Sequence, residues 1–323
     1  MSKNLKITLG VVVIVILILI LSASKTGDSQ KIKVGVISIL SGPFADYGEE
    51  IRKGVLSVAS STDKVEFVFE DDKCEPKEAV SAYKKLVDFD KVKIIIGPAC
   101  GSPQEAIIPL IEENKTIVLV PSAASRSLYT QSGDNFFNVQ YSLEDESSFM
   151  GEKMNELGYK KAALVTYKNA FSETHAKAFK ESFKGEIVHH VLTDNTSDVS
   201  TEIAKIKAEK PDAIYSPDVA FFFSNGLIKI RQYGIVVPVY GTYVVELPAA
   251  RPLVQDIYYS FPGDLTGQSG AVYELSKQAA LIAIEAVTSC NDSALCIKSK
   301  IGSSGKFDEF GVYKRPIILK QIK

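Results

Sequence analysis

The sequence predicts an α/β protein of two doubly wound lobes, preceded by a separate apolar helix at the amino terminus. Three observations carry this. From Ile32 onward, short β-branched runs alternate with longer amphipathic ones, the pattern of a parallel sheet with helices on both faces. The alternation proceeds to Val120 and then restarts at Glu144. The chain beyond residue 31 also has the length of two ordinary domains, at roughly 100–200 residues each.

In the first half, Ile32–Ile39 reads as a buried strand and Asp46–Ser60 as a helix. Val65–Phe69 is a strand, Pro76–Asp88 a helix opened by proline, and Val92–Ile96 a strand. Pro103–Glu113 is a second proline-led helix, followed by the strand Thr116–Val120. In the second half, the helices are Glu144–Leu157, Ser172–Phe183, Val199–Glu209 and Phe221–Tyr233. They alternate with strands at Lys161–Tyr167, Glu186–Leu192, Asp212–Tyr215 and Val236–Tyr240. The halves join near Asn138–Ser142. The helix Val272–Ser289 and the stretch Phe307–Ile322 follow both and must rejoin them. Two such lobes place a ligand crevice between them, at the carboxyl ends of the strands.

Residues 1–31 stand apart. Gly10–Leu21 carries no polar side chain, Lys3 and Lys6 precede it, and Ser22-Ala23-Ser24 follows. This is the pattern of a secretory signal, and also of a short membrane anchor. Either exports the rest of the chain. The 37 Lys and Arg balance 39 Asp and Glu, so a general attraction to nucleic acid is not expected.

Four cysteines, Cys74, Cys100, Cys290 and Cys296, suit disulfides in an exported chain, with three possible pairings. Sequence closeness favours Cys290 with Cys296, leaving Cys74 with Cys100. No CxxC pair exists, and the three histidines are far from the cysteines, so no zinc site is expected. His189 and His190 point to opposite faces of a strand and cannot share an ion. Asp71-Asp72 reads as a capping or solvated pair. No dinucleotide fingerprint, nucleophile elbow or HExxH is present. Gly302–Lys306 lacks the spacing of a phosphate loop and reads as a turn. No cofactor is expected, and catalysis has little support.

What the sequence does offer is three small, polar turns after strands: Ser41–Gly48, Gly97–Ser102 and Pro121–Ser125. Such turns present backbone N–H groups and hydroxyls at helix starts, which suits a carboxylate. Ordinary capping by Ser102 and Ser125 is the plainer use. Phe221–Phe223 could line a pocket, but their helical context favours core packing.

The segments Ile39–Gly48 (ILSGPFADYG), Asp71–Val80 (DDKCEPKEAV), Ile96–Cys100 (IGPAC), Pro121–Ser125 (PSAAS) and Ile301–Gly311 (IGSSGKFDEFG) together resemble the leucine/isoleucine/valine-binding proteins. These are extracytoplasmic solute receptors of ABC importers with the type I periplasmic-binding fold. The resemblance covers about residues 32–323. It implies two lobes joined by three crossovers, residues 32–140 plus about 264–308 and 141–263 plus about 309–323, closing on ligand by hinge motion. It also supports the Cys74–Cys100 bridge.

Carried over by position, Tyr47 would pack on the ligand, the Ala123 carbonyl would accept from an ammonium, and Ser125 would donate to a carboxylate. Ala124 would line the same turn, and Phe171 would contact the ligand from the second lobe. The family's carboxylate-binding serine falls on Gly101, leaving its N–H or neighbouring Ser102. The family's ammonium-pairing acid falls on Tyr243, with Glu246 and Asp218 as nearby acids. The segment Phe261–Gly270 is shorter than is usual in the family.

The implied function is therefore capture of an amino acid or related carboxylate, as a monomer, for delivery to an ABC permease. A sensor of the same fold is the alternative, and an enzyme on a doubly wound fold a distant third.

Overall fold

The computed structural model describes residues 31–168, 170–193, 200–218, 226–247, 250–253, 255–266, 269–290 and 293–323. The apolar amino-terminal segment, and Phe221–Phe223, lie outside the described residues.

The first sheet is built from β1 (Ile32–Ser38), β2 (Val65–Asp71), β3 (Ile94–Ile96), β4 (Ile117–Val120) and β5 (Phe136–Asn138). Helices α1 (Ala45–Leu56), α2 (Pro76–Lys84), α3 (Gly101–Asn114) and α4 (Ser127–Gln131) connect them. The strand order is β2-β1-β3-β4-β5, with every pair parallel. Parallel strands buried on both faces need continuous apolar runs, and Ile94–Ile96 and Ile117–Val120 are buried throughout.

The second half begins with α5 (Leu143–Glu156), whose amino end carries a capping box between Ser142 and Asp145. Then come β6 (Lys161–Tyr167), α6 (Ala170–Ser182), β7 (Glu186–Thr193), α7 (Ser200–Glu209), β8 (Ala213–Tyr215), α8 (Gly226–Gln232), β9 (Val239–Gly241) and β10 (Ile257–Pro262). The chain closes with α9 (Ala271–Cys290), α10 (Ala294–Gly302) and β11 (Ile317–Ile322). The second sheet runs β7-β6-β8-β9-β10-β11, parallel except for the antiparallel β10–β11 pair. Its first five strands repeat the order of the first sheet. In each sheet the order reverses beside the opening strand, which puts a crevice at the carboxyl ends of β1 and β3, and of β6 and β8.

Helix α9 packs on α1 and on β1, β3 and β4 of the first sheet. Its buried face carries Ala279, Ala280, Ala283 and Ala286, small enough for close approach. The chain thus passes between the sheets after β5, between β10 and α9, and again before β11.

Among the described α-helices and strands, α4, β5, β10 and α10 escape the sequence reading. Strand β5 is Phe-Phe-Asn, too short to show a period. Strand β10 ends on Pro262, which reads as a break. Both disulfides form as pairing by closeness predicts, Cys74–Cys100 and Cys290–Cys296, each with Cα atoms 5.5 Å apart. Among the described residues no helix is long and apolar enough to cross a membrane.

Candidate functional site

The turns at the carboxyl ends of the first sheet are held by the residues beneath them. After β1, the Leu40 N–H and the Ser41 hydroxyl donate to Asp71, at 2.9 and 2.5 Å. Burial would raise the Asp71 carboxyl, but these bonds and one from the Lys73 N–H outweigh it and hold it below its usual value. Asp71 is therefore a loop organiser. Asp72 is buried and pushed up to about 6 by desolvation. Among the described residues no cluster suited to a metal is present.

After β3, Gly97 adopts φ +88°, and a Cβ there would lie 2.1 Å from the Ile37 carbonyl, so only glycine fits the turn. The Cys74–Cys100 bridge fastens the start of α3 to the loop beyond β2. Gln104 Nε2 donates to Ser122 Oγ at 3.0 Å, and Ser122 Oγ donates to the Ala99 carbonyl at 2.9 Å. The turns after β3 and β4 are thereby stitched together.

The two sheets meet through these turns. Tyr47, in the first turn of α1, is buried, and its hydroxyl lies 3.1 Å from that of Tyr243 beyond β9. Gly101 faces Phe171 at the start of α6; a Cβ on Gly101 would stand 3.1 Å from the Phe171 Cβ. Phe171 packs edge-on against His175, centroids 4.7 Å apart. Tyr47, Gly101, Phe171 and Tyr243 are thus brought together across the junction.

The other predicted positions spread around it. Ala123 and Ala124 are buried, and the Ala124 carbonyl accepts from the Leu143 N–H at 3.1 Å. Ser102 is exposed on the first turn of α3. Ser125 donates to Glu144 at 2.8 Å, tying its turn to α5. Asp218 is buried after β8 and accepts from the Ser172 hydroxyl at 2.7 and 2.8 Å and from the Tyr167 N–H at 3.2 Å. Burial pushes it up to about 6. Glu246 accepts from the Tyr259 hydroxyl at 2.6 Å, with Lys320 Nζ 3.7 Å away. It lines an open cavity of about 940 Å³ bounded also by Tyr243, Phe261 and Ala271.

Sequence reasoning missed Glu146. It is 1% exposed, and burial pushes its carboxyl up to about 7. Tyr141 donates to its Oε1 at 3.0 Å, and Ser260 donates to the same oxygen. His175 Nε2 lies 4.0 Å from Oε2. His175 is itself buried, held neutral by desolvation with its pKa near 3, and its Nδ1 bonds Ser147 Oγ at 2.6 Å. A signal existed: Leu143, Glu146, Ser147, Met150 and Met154 share the buried face of α5. Within Glu144-Asp145-Glu146, however, all three acids suit a helix amino terminus.

The profile of a family described as periplasmic binding protein matches residues 31–261. The chain belongs to this family. The family is one of binding proteins rather than enzymes, and membership goes with an extracytoplasmic location. A Leu/Ile/Val-binding protein, BraC3, of Rhizobium johnstonii is 27% identical over 198 residues, 57% of this chain and 53% of the relative. The chain thus spans about half the length of the curated relatives it matches. The LivJ branched-chain amino acid transporter substrate binding protein of Streptococcus pneumoniae, in complex with isoleucine, superposes with a TM-score of 0.80 at 22% identity, covering 91% of this chain and 96% of the other. A solute binding protein of R. palustris in complex with benzoate gives 0.78 at 21%, covering 91% and 93%. At those identities the likeness speaks for the fold, the type I periplasmic-binding fold with its two lobes of parallel sheet.

Proposed function

We propose that this chain is the solute-binding component of an ABC importer, holding a small carboxylate-bearing solute between its lobes and releasing it to a membrane permease. The observation that carries the reading is the meeting of the two sheets' carboxyl ends at Tyr47–Tyr243 and Gly101–Phe171, at the crevice where a doubly wound fold takes its ligand. The relatives named above bind branched-chain amino acids or benzoate by their descriptions, and a carboxylate is common to both classes.

On this reading the lobes are residues 32–140 plus about 264–308 and 141–263 plus about 309–323. They move about the three crossings as hinges, and the protein works as a monomer. The Gly101 N–H, the neighbouring Ser102 and Ser125 would meet the carboxylate at the start of α3 and beside it. Tyr47 and Phe171 would clasp the solute's body from opposite lobes, with Ala123 and Ala124 forming the wall. The apolar segment before residue 31 would carry the chain out of the cytoplasm.

Thermal-shift screening with amino acids and small carboxylates tests this. A solute at 100 times its Kd stabilises the folded state by about 2.7 kcal/mol. Stabilisation by a sugar or nucleoside and by no carboxylate would reject the solute class.

A further inference from the structure

We infer that Glu146 is the carboxylate that receives a cationic nitrogen of the bound solute, a role for which position 243 offers only a phenol. The inference rests on the solute-binding reading above and names the chemistry of that same site.

Three observations carry it. Glu146 is placed beside the junction: His175, whose Nε2 lies 4.0 Å from its Oε2, packs edge-on against Phe171, the residue that faces Gly101 across the lobes. It is also left without a counter-charge. The groups facing it are Tyr141 ahead of α5, Ser260 on β10, His175 on α6, Tyr215 at the end of β8, and the two junction tyrosines. All are neutral near pH 7, and among the described residues His175 is the basic group within ion-pair range. Finally, polar capacity around it is unspent. Both neutral donors go to Oε1, and the gap between Oε2 and His175 Nε2 is too long for a hydrogen bond. His175 Nε2 has no hydrogen-bond partner.

Buried polar atoms left unbonded are costly. One ammonium, with hydrogen-bond lengths of about 2.8 Å, spans the 4.0 Å between Oε2 and Nε2. His175 accepts at Nε2 if its Nδ1 carries the proton and donates to Ser147. In the empty protein the desolvated Glu146 carboxyl holds its proton. When an ammonium arrives, the carboxyl loses that proton to solvent and the carboxylate pairs with the ammonium. The net exchange is one proton released for one cation bound.

The test is calorimetry at about pH 6.5, in buffers of different ionisation heat, with two matched pairs. These are L-leucine against 4-methylpentanoate and L-phenylalanine against 3-phenylpropanoate. The wild type should bind an amino acid at least about tenfold tighter than its amine-free partner, releasing a substantial fraction of a proton. In Glu146→Gln, which keeps an acceptor for Tyr141 and Ser260, the preference should fall to about threefold or less and proton release should vanish. The wild-type proton count needs no variant and stands even where Glu146→Gln folds poorly. Binding of amino acids without proton release, or an undiminished preference in Glu146→Gln, overturns the inference while leaving the solute-binding reading intact. Equal binding of the matched acids does the same. No binding of any of the four overturns both for this solute class.

Discussion

The hydroxyl oxygens of Tyr47 and Tyr243 lie 3.1 Å apart, 196 residues apart in sequence, and both side chains are buried. One stands on the first helix of the first lobe, the other on the turn beyond β9 in the second. Removing one hydroxyl strands the other in a buried place, at a cost of about 1–2 kcal/mol. The double variant Tyr47→Phe/Tyr243→Phe strands neither. Urea denaturation of the singles and the double should therefore show a double cost clearly below the sum of the singles. Additive costs would mean that the two phenols do not depend on each other.

Gly101 marks a second approach of the lobes. A leucine there would push against Phe171, where even a Cβ would sit at 3.1 Å. Gly101→Leu should weaken solute binding about tenfold or more while changing ligand-free stability much less, because the side chain obstructs closure more than folding. Calorimetry with small-angle scattering checks this: the variant should stay expanded at solute concentrations that compact the wild type.

The buried Glu146 makes stability depend on pH. Its carboxyl is raised from 4.5 to about 7 in the folded chain, by burial. Between those values the folded state keeps a proton that the unfolded state has lost. Its contribution is therefore full below pH 4.5 and is lost as pH rises through 7. Relative to Glu146→Gln, the ligand-free wild type should lose on the order of 3 kcal/mol across that window. Asp218, pushed up to about 6, acts with the same sign. His175, depressed to about 3, acts oppositely, losing stability as pH falls from 6.5. Chemical denaturation of both proteins at pH steps isolates the Glu146 part; parallel curves would place its titration elsewhere.

The Cys74–Cys100 bridge closes 26 residues of sequence and anchors the start of α3. On the chain-entropy account, replacing both cysteines by alanine should lower stability by about 3.5 kcal/mol. Because Gly101 follows Cys100 directly, affinity should fall as well. Replacing Cys290 and Cys296, a bridge across 6 residues between α9 and α10, should spare affinity. Paired denaturation and binding measurements separate the two bridges.

The fold was legible where β-branched runs alternate with amphipathic ones. Lys161–Tyr167 has the same bounds in sequence and structure, and both disulfide pairs follow from spacing. What stayed hidden depends on pairing across the chain. Strand β10 supplies Ser260 to Glu146, but its aromatic run ending in Pro262 shows no clean period. Tyr47 and Gly101 were picked out because turn motifs carry or adjoin them, and Phe171 by its position in the family resemblance; the structure brings the three to the junction. Glu146 was passed over despite its helix-face spacing, because His175 and Ser260, which face its carboxyl, lie on elements distant in sequence. Glu246, read as a possible partner for an ammonium, bonds Tyr259 and lines a cavity that Tyr243 also lines.

On the proposed reading, the junction of the two lobes holds a small carboxylate. Isothermal titration of the purified chain with branched-chain and aromatic amino acids, and with benzoate, tests it most directly. One-to-one binding of at least one of these is expected, at micromolar Kd or tighter (about 8 kcal/mol), weakened by Gly101→Leu. Binding that leaves Gly101→Leu unaffected, or no binding by any of these carboxylates where a sugar or nucleoside binds, would contradict it.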